Sequence, residues 1–84
     1  MNRKQRITEK LTVGLQPSAL NVRDISHLHA GHAGAGIETH FTVTVTSAQF
    51  AGLTRVQQHQ MVNRLLADEF TGGLHALSLS THTE

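Results

Sequence analysis

Polar and apolar residues alternate most regularly between His40 and Thr46, where Phe41, Val43 and Val45 are interleaved with Thr42 and Thr44. A period of two puts the apolar side chains on one face of an extended chain, the signature of a half-buried strand. Leu20 and Val22 against Asn21 and Arg23 repeat the pattern and predict a strand from Ala19 to about His27. A third strand is predicted at Leu77 and Leu79, with His75 ahead of it on the same face. The polar tail from Ser80 to Glu84 is expected to fray.

Helical spacing governs the rest. Ile7, Leu11 and Leu15 fall at i, i+4 and i+8 behind Asn2, a good N-cap, and predict a short amphipathic helix stopped by Gly14 and Pro17. Ser47 can cap a helical turn through Phe50, which Gly52 breaks. Thr54 can cap a longer helix to about Phe70, with Val56, His59, Val62, Leu66 and Phe70 on one face and Leu65 widening it. Gln57, Arg64 and Asp68 point away, and Gly72-Gly73 ends the helix.

Between the first two strands, Leu28 to Ile37 carries three glycines in a short span and is expected to be a mobile loop. A long loop between adjacent strands suggests an antiparallel pair. The order helix, strand, strand, short helix, long helix, strand therefore predicts an α+β fold, with helices packed on one face of a three-stranded sheet.

With 84 residues, one domain is the expectation, ordered over about residues 3–81. There is no Trp, Tyr or Cys, so burial rests on Leu, Val, Ile and three Phe. The missing cysteines exclude a disulfide framework, a thiolate nucleophile and a sulfur-ligated metal site built from this chain alone. No apolar run is long enough to span a bilayer and none follows the basic N-terminus, so a soluble cytoplasmic protein is expected. The formal charge of +1 does not select a partner, although Arg3, Lys4, Arg6 and Lys10 cluster at one end and could meet phosphate.

Seven histidines are the more informative feature. His75 follows a Gly-Gly turn, so a fixed backbone would hold its imidazole at the edge of the core, beside solvent; the plainer alternative is a partly buried ring bonded to a carbonyl. His29 and His32 form His-x-x-His in the loop, with His27 close by. Neutral imidazole suits zinc, copper or iron, but a metal needs three or four donors. His40 is expected on the solvent side of its strand, and His59 is expected to pack on the apolar stripe with one nitrogen partnered. No Gly-x-Ser-x-Gly elbow, His-Glu-x-x-His helix or phosphate loop is present, and an enzyme is not expected. Gly31-His32-Ala33-Gly34 has the Gly-x-x-Gly pattern of KH domains, but there it joins helices and here it joins strands.

Glu38-Thr39-His40-Phe41, His59 with Met61 and Val62, and Leu74-His75-Ala76-Leu77 together resemble the BolA family. Asp24-x-Ser26 and Phe50-x-Gly52 fit as well, and the likeness runs from about Ile7 to Thr81. The resemblance implies a class II KH-like αββααβ fold with a mixed three-stranded sheet. It also implies an adaptor that pairs with a monothiol glutaredoxin and shares a 2Fe-2S cluster, in iron–sulfur maturation, iron regulation or redox stress response.

On that resemblance His75 would be a cluster ligand, with a second from the loop, for which His29 and His32 both qualify. The glutaredoxin cysteine and its glutathione would supply the sulfur. No cofactor is expected in the isolated protein, which would be a monomer or weak homodimer. Some relatives act as DNA-binding transcription regulators, and for that alternative Arg3, Lys4, Arg6, Arg55 and Arg64 are the candidate contacts. Gln58-His59-Gln60 stands where many relatives flank the histidine with arginines, which weakens it. A third reading has His27, His29 and His32 binding zinc or copper alone.

Overall fold

The computed structural model describes residues 2–25 and 40–84. Residues 26–39, with His27, His29, His32 and the glycine-rich stretch, lie outside the described residues. The elements are α1 (Arg3–Leu15), β1 (Ala19–Asp24), β2 (His40–Thr46), a 3₁₀ turn (Ala48–Phe50), α2 (Arg55–Leu65), α3 (Ala67–Thr71) and β3 (Ala76–His82). This is the expected αββααβ order.

α1 and α2 begin where a side chain can accept from the unpaired first-turn amides. Asn2 accepts from the Gln5 amide while the Gln5 side chain accepts from the Asn2 amide, and Thr54 and Gln57 repeat the exchange at α2. Ser47 opens the 3₁₀ turn.

The sheet runs β1-β2-β3, with β1 antiparallel and β2 parallel to β3. Val22 faces Val43, and Val43 faces Leu79, so the apolar members of all three strands share one side. A parallel pair cannot be closed by a tight turn and needs a crossover of a dozen residues or more. Residues 47–75 supply it, carrying α2 and α3. Ile7, Leu11 and Leu15 of α1, Val62 and Leu66 from the crossover, and Phe41, Val43, Val45 and Phe50 form the buried centre. Fully burying each such side chain is worth about 1.5–3 kcal/mol.

Two polar contacts fasten the layers. The buried Ser47 hydroxyl donates to the Leu15 carbonyl at 2.6 Å and accepts from the Gln49 amide, tying the end of α1 to the end of β2. Thr81 of β3 donates to Gln58 of α2 at 2.6 Å, while the Gln58 amide donates to the Leu53 carbonyl.

Several boundaries depart from expectation. Gly14 does not end α1, which continues to Leu15 and stops at Gln16, whose φ of 47° is left-handed. Within the helix, a Cβ on Gly14 would lie 2.8 Å from both Leu65 methyls, so glycine serves close approach of α1 to α2. Strand β1 ends at Asp24. The long helix breaks at Leu66 into α2 and α3, and the expected stripe is exposed at both ends, at Val56 (65%) and Phe70 (36%). Nor does the tail fray from Ser80, because β3 pairs through His82 opposite Thr46.

Candidate metal centre at the head of the parallel strands

After α3 the chain reverses through two glycines. The Gly72 amide donates to the Asp68 carbonyl, and Gly73 takes a φ of 121°, a backbone state that side chains disfavour. Leu74 is then buried, its amide donating to the Glu69 carbonyl at 2.9 Å. A reversal fixed on one side and an apolar anchor on the other deliver His75 to the head of β3 with its side chain exposed.

Because β2 and β3 are parallel, their first residues lie at the same end of the sheet. His40 pairs with Ala76, and the His40 and His75 rings meet edge to face, 6.0 Å between centroids and 72° between planes. His40 is half-buried, on the face of β2 away from the buried Phe41. Its carbonyl accepts from the Ile25 amide at 2.9 Å. Among the described residues no group of three His, Cys, Asp or Glu could hold a metal ion. The two imidazoles are a partial donor set that a second molecule could complete.

Among the described residues, two further histidines lie elsewhere in the fold. His59 is half-buried on α2, and the His82 Nε2 lies 3.0 Å from the Ser80 hydroxyl near the far end of β3.

The basic candidates divide. Arg3 and Arg6 turn toward Glu69 of α3, as does Lys10. Arg6 Nε donates to both carboxylate oxygens at 3.1 Å, Lys10 Nζ reaches Oε2 at 2.6 Å, and Arg3 Nε reaches Oε1 at 3.3 Å. Arg3 also donates to the Gly72 carbonyl at 2.8 Å. Arg6 and then Lys10 hold the Glu69 carboxyl down at about 2, against burial, which pushes it up. Much of the basic charge of α1 is thus spent inside the fold. Lys4, Arg55 and Arg64 are exposed.

Sequence reasoning missed Glu69 and the pairing of His40 with His75. A signal existed for the first: Arg3, Arg6 and Lys10 stand at i, i+3 and i+7, one face of a helix aimed at an acid.

The family model described as BolA-like protein matches residues 11–84. The chain belongs to the BolA family. Among curated BolA relatives, the chain is 44% identical over 86 residues to "Protein BOLA1, chloroplastic" of Arabidopsis thaliana, covering 98% of this chain and 54% of that one. The chain thus spans about half the length of that relative. It is 44% identical over 77 residues to the "DNA-binding transcriptional regulator BolA" of Vibrio cholerae, covering 92% of this chain and 71% of the relative. The solved BolA domain of SufE1 from Arabidopsis thaliana superposes with a TM-score of 0.92 at 43% identity, covering 99% of this chain and 93% of that one. The α+β fold is that of the BolA proteins. Among the described residues, no helix is long and apolar enough to cross a membrane.

Proposed function

We propose that this BolA-family chain is a non-catalytic adaptor that partners a monothiol glutaredoxin and contributes imidazole ligands to a shared 2Fe-2S cluster, which it carries as cargo. The observation that supports this most is His75: an exposed imidazole on a fixed backbone at the head of β3, with the His40 ring beside it. The chain has no cysteine, so any cluster sulfur must come from elsewhere, and a cysteine-bearing glutaredoxin with bound glutathione is suited to supply it. His75 would act with a second histidine, for which the family resemblance points to His29 or His32. The chain's own part is to present imidazoles in a set orientation. Protonated imidazole cannot coordinate, so complex formation should weaken at acid pH. Stress response or iron regulation is the setting this role suits, in the cytoplasm or in an organelle.

Mixing the full chain with a cluster-loaded monothiol glutaredoxin tests the reading. Visible absorption and circular dichroism of the cluster should change on addition, with saturation at a defined ratio. Spectra that remain those of the glutaredoxin alone would refute it.

A second reading is favoured by the relatives called DNA-binding transcriptional regulators. A KH-like DNA contact would then draw on Lys4, Arg55 and Arg64, since Arg3 and Arg6 already engage Glu69. Titration with DNA at two salt concentrations separates sequence preference from charge attraction: a specific binder keeps its preference as affinity falls.

A further inference from the structure

We infer that Arg3 is a positioning residue for His75: from the first turn of α1, its guanidinium clamps α3 and the Gly72-Gly73 reversal that together hand His75 to β3. This deepens the cluster-ligand reading above and rests on it for what the position serves, but the clamp itself can be measured without a glutaredoxin.

Three observations carry it. The first is need. α3 has five residues, too few for a helix to hold itself, and the two glycines that follow it lose more backbone freedom on ordering than any other residue. The His75 side chain is exposed, so its place is set largely by the backbone that leads to it. The second is geometry. Arg3 Nε donates to the Glu69 carboxylate at 3.3 Å and Nη2 to the Gly72 carbonyl at 2.8 Å, while the Glu69 carbonyl accepts from the Leu74 amide at 2.9 Å. One planar group thus grips both α3 and the reversal, and Glu69 passes the hold on to the residue next to His75. The guanidinium also lies along Gly73, where a Cβ would meet Nη2 at 3.4 Å and Nη1 at 3.8 Å. The third is burial. The Arg3 side chain is 11% exposed, far less than those of Arg6 and Lys10 on the same carboxylate. Arg6 and Lys10 already balance the charge of Glu69; what Arg3 adds is the second bond, to the backbone. A guanidinium fork makes both bonds at once, whereas lysine brings a single nitrogen that can keep the ion pair without spanning both acceptors.

The test follows backbone 15N relaxation of the full chain with no metal added. In the unmodified protein the Gly73, Leu74 and His75 amides should have order parameters of ~0.85, and Arg3→Lys should drop them below ~0.6. Arg6→Ala, which removes bonds to the same carboxylate, should lower stability toward urea at least as much and leave those order parameters in the rigid range. An Arg3→Lys chain as rigid there as the unmodified one would overturn the inference. Equal loosening by Arg6→Ala would do the same, because the hold would then be a matter of general stability. The Arg3 Nε–H signal of the unmodified chain decides the matter even if a variant unfolds: it should exchange slowly with solvent, and fast exchange would refute the clamp.

With cluster-loaded glutaredoxin, Arg3→Lys should require about 10-fold more chain for half the dichroism change, the lower end of what losing a support of a metal ligand costs. If the unmodified chain gives no change there, the adaptor reading fails while the relaxation data still decide the Arg3 clamp. If Arg3→Lys loosens the reversal yet titrates like the unmodified chain, His75 does not depend on the clamp and the positioning role is overturned.

Discussion

Gly14 and Leu65 meet where α1 crosses α2, and a β-carbon on residue 14 would lie 2.8 Å from both leucine methyls. Glycine inside a helix ordinarily costs about 1 kcal/mol relative to alanine. Gly14→Ala should therefore yield little or none of that gain, because Leu65 must move aside. In a Leu65→Ala background the same change should recover close to the full ~1 kcal/mol. Urea unfolding of the four chains in this cycle measures the coupling, and additive effects would show that the contact is not what keeps glycine there.

Glu69 links α1 to α3 through Arg3, Arg6 and Lys10. Its carboxyl ionises at about 2 in the fold against an ordinary 4.5, so the folded form favours the charged state. The stabilisation is complete above about 4.5 and is lost as pH falls toward 2. A lowering of that size corresponds to roughly 3 kcal/mol. Because the Arg6 and Lys10 side chains are 38% and 31% exposed, solvent screening brings the expected value to about 2 kcal/mol. Glu69→Gln should cost about that much at neutral pH and flatten the acid limb of the stability profile. An unchanged acid limb would show that other carboxylates set it.

The buried Ser47 hydroxyl serves both the Leu15 carbonyl and the Gln49 amide. Ser47→Ala leaves both without their partner and should cost about 1–3 kcal/mol. Thermal unfolding reads this directly, and a loss below a few tenths would mean that water replaces the hydroxyl.

These contacts mark where sequence pattern ceases to inform. Phe41, Val43 and Val45 declared their strand because a period of two has one physical meaning, and Asn2, Ser47 and Thr54 declared helix starts because capping is local. Gly14 looked like a stop because glycine disfavours helix, yet the neighbour that requires it lies on another element. The break at Leu66 is equally silent in the sequence: the stripe through Phe70 continues on paper, but the chain turns at Leu66, and Leu74 rather than Phe70 is buried. His75 was legible as a placed imidazole from the Gly-Gly turn ahead of it. His40 was not, because its proximity follows from the parallel register of β2 and β3, which no local spacing encodes.

His75 is the residue on which the proposed cluster ligation turns. Circular dichroism of a cluster-loaded monothiol glutaredoxin, recorded in the visible region as the chain is added, should change and saturate with the unmodified protein. With His75→Ala, whose exposed side chain leaves the core intact, it should not change at all. An equal response from folded His75→Ala would contradict the proposal that this histidine is a cluster ligand.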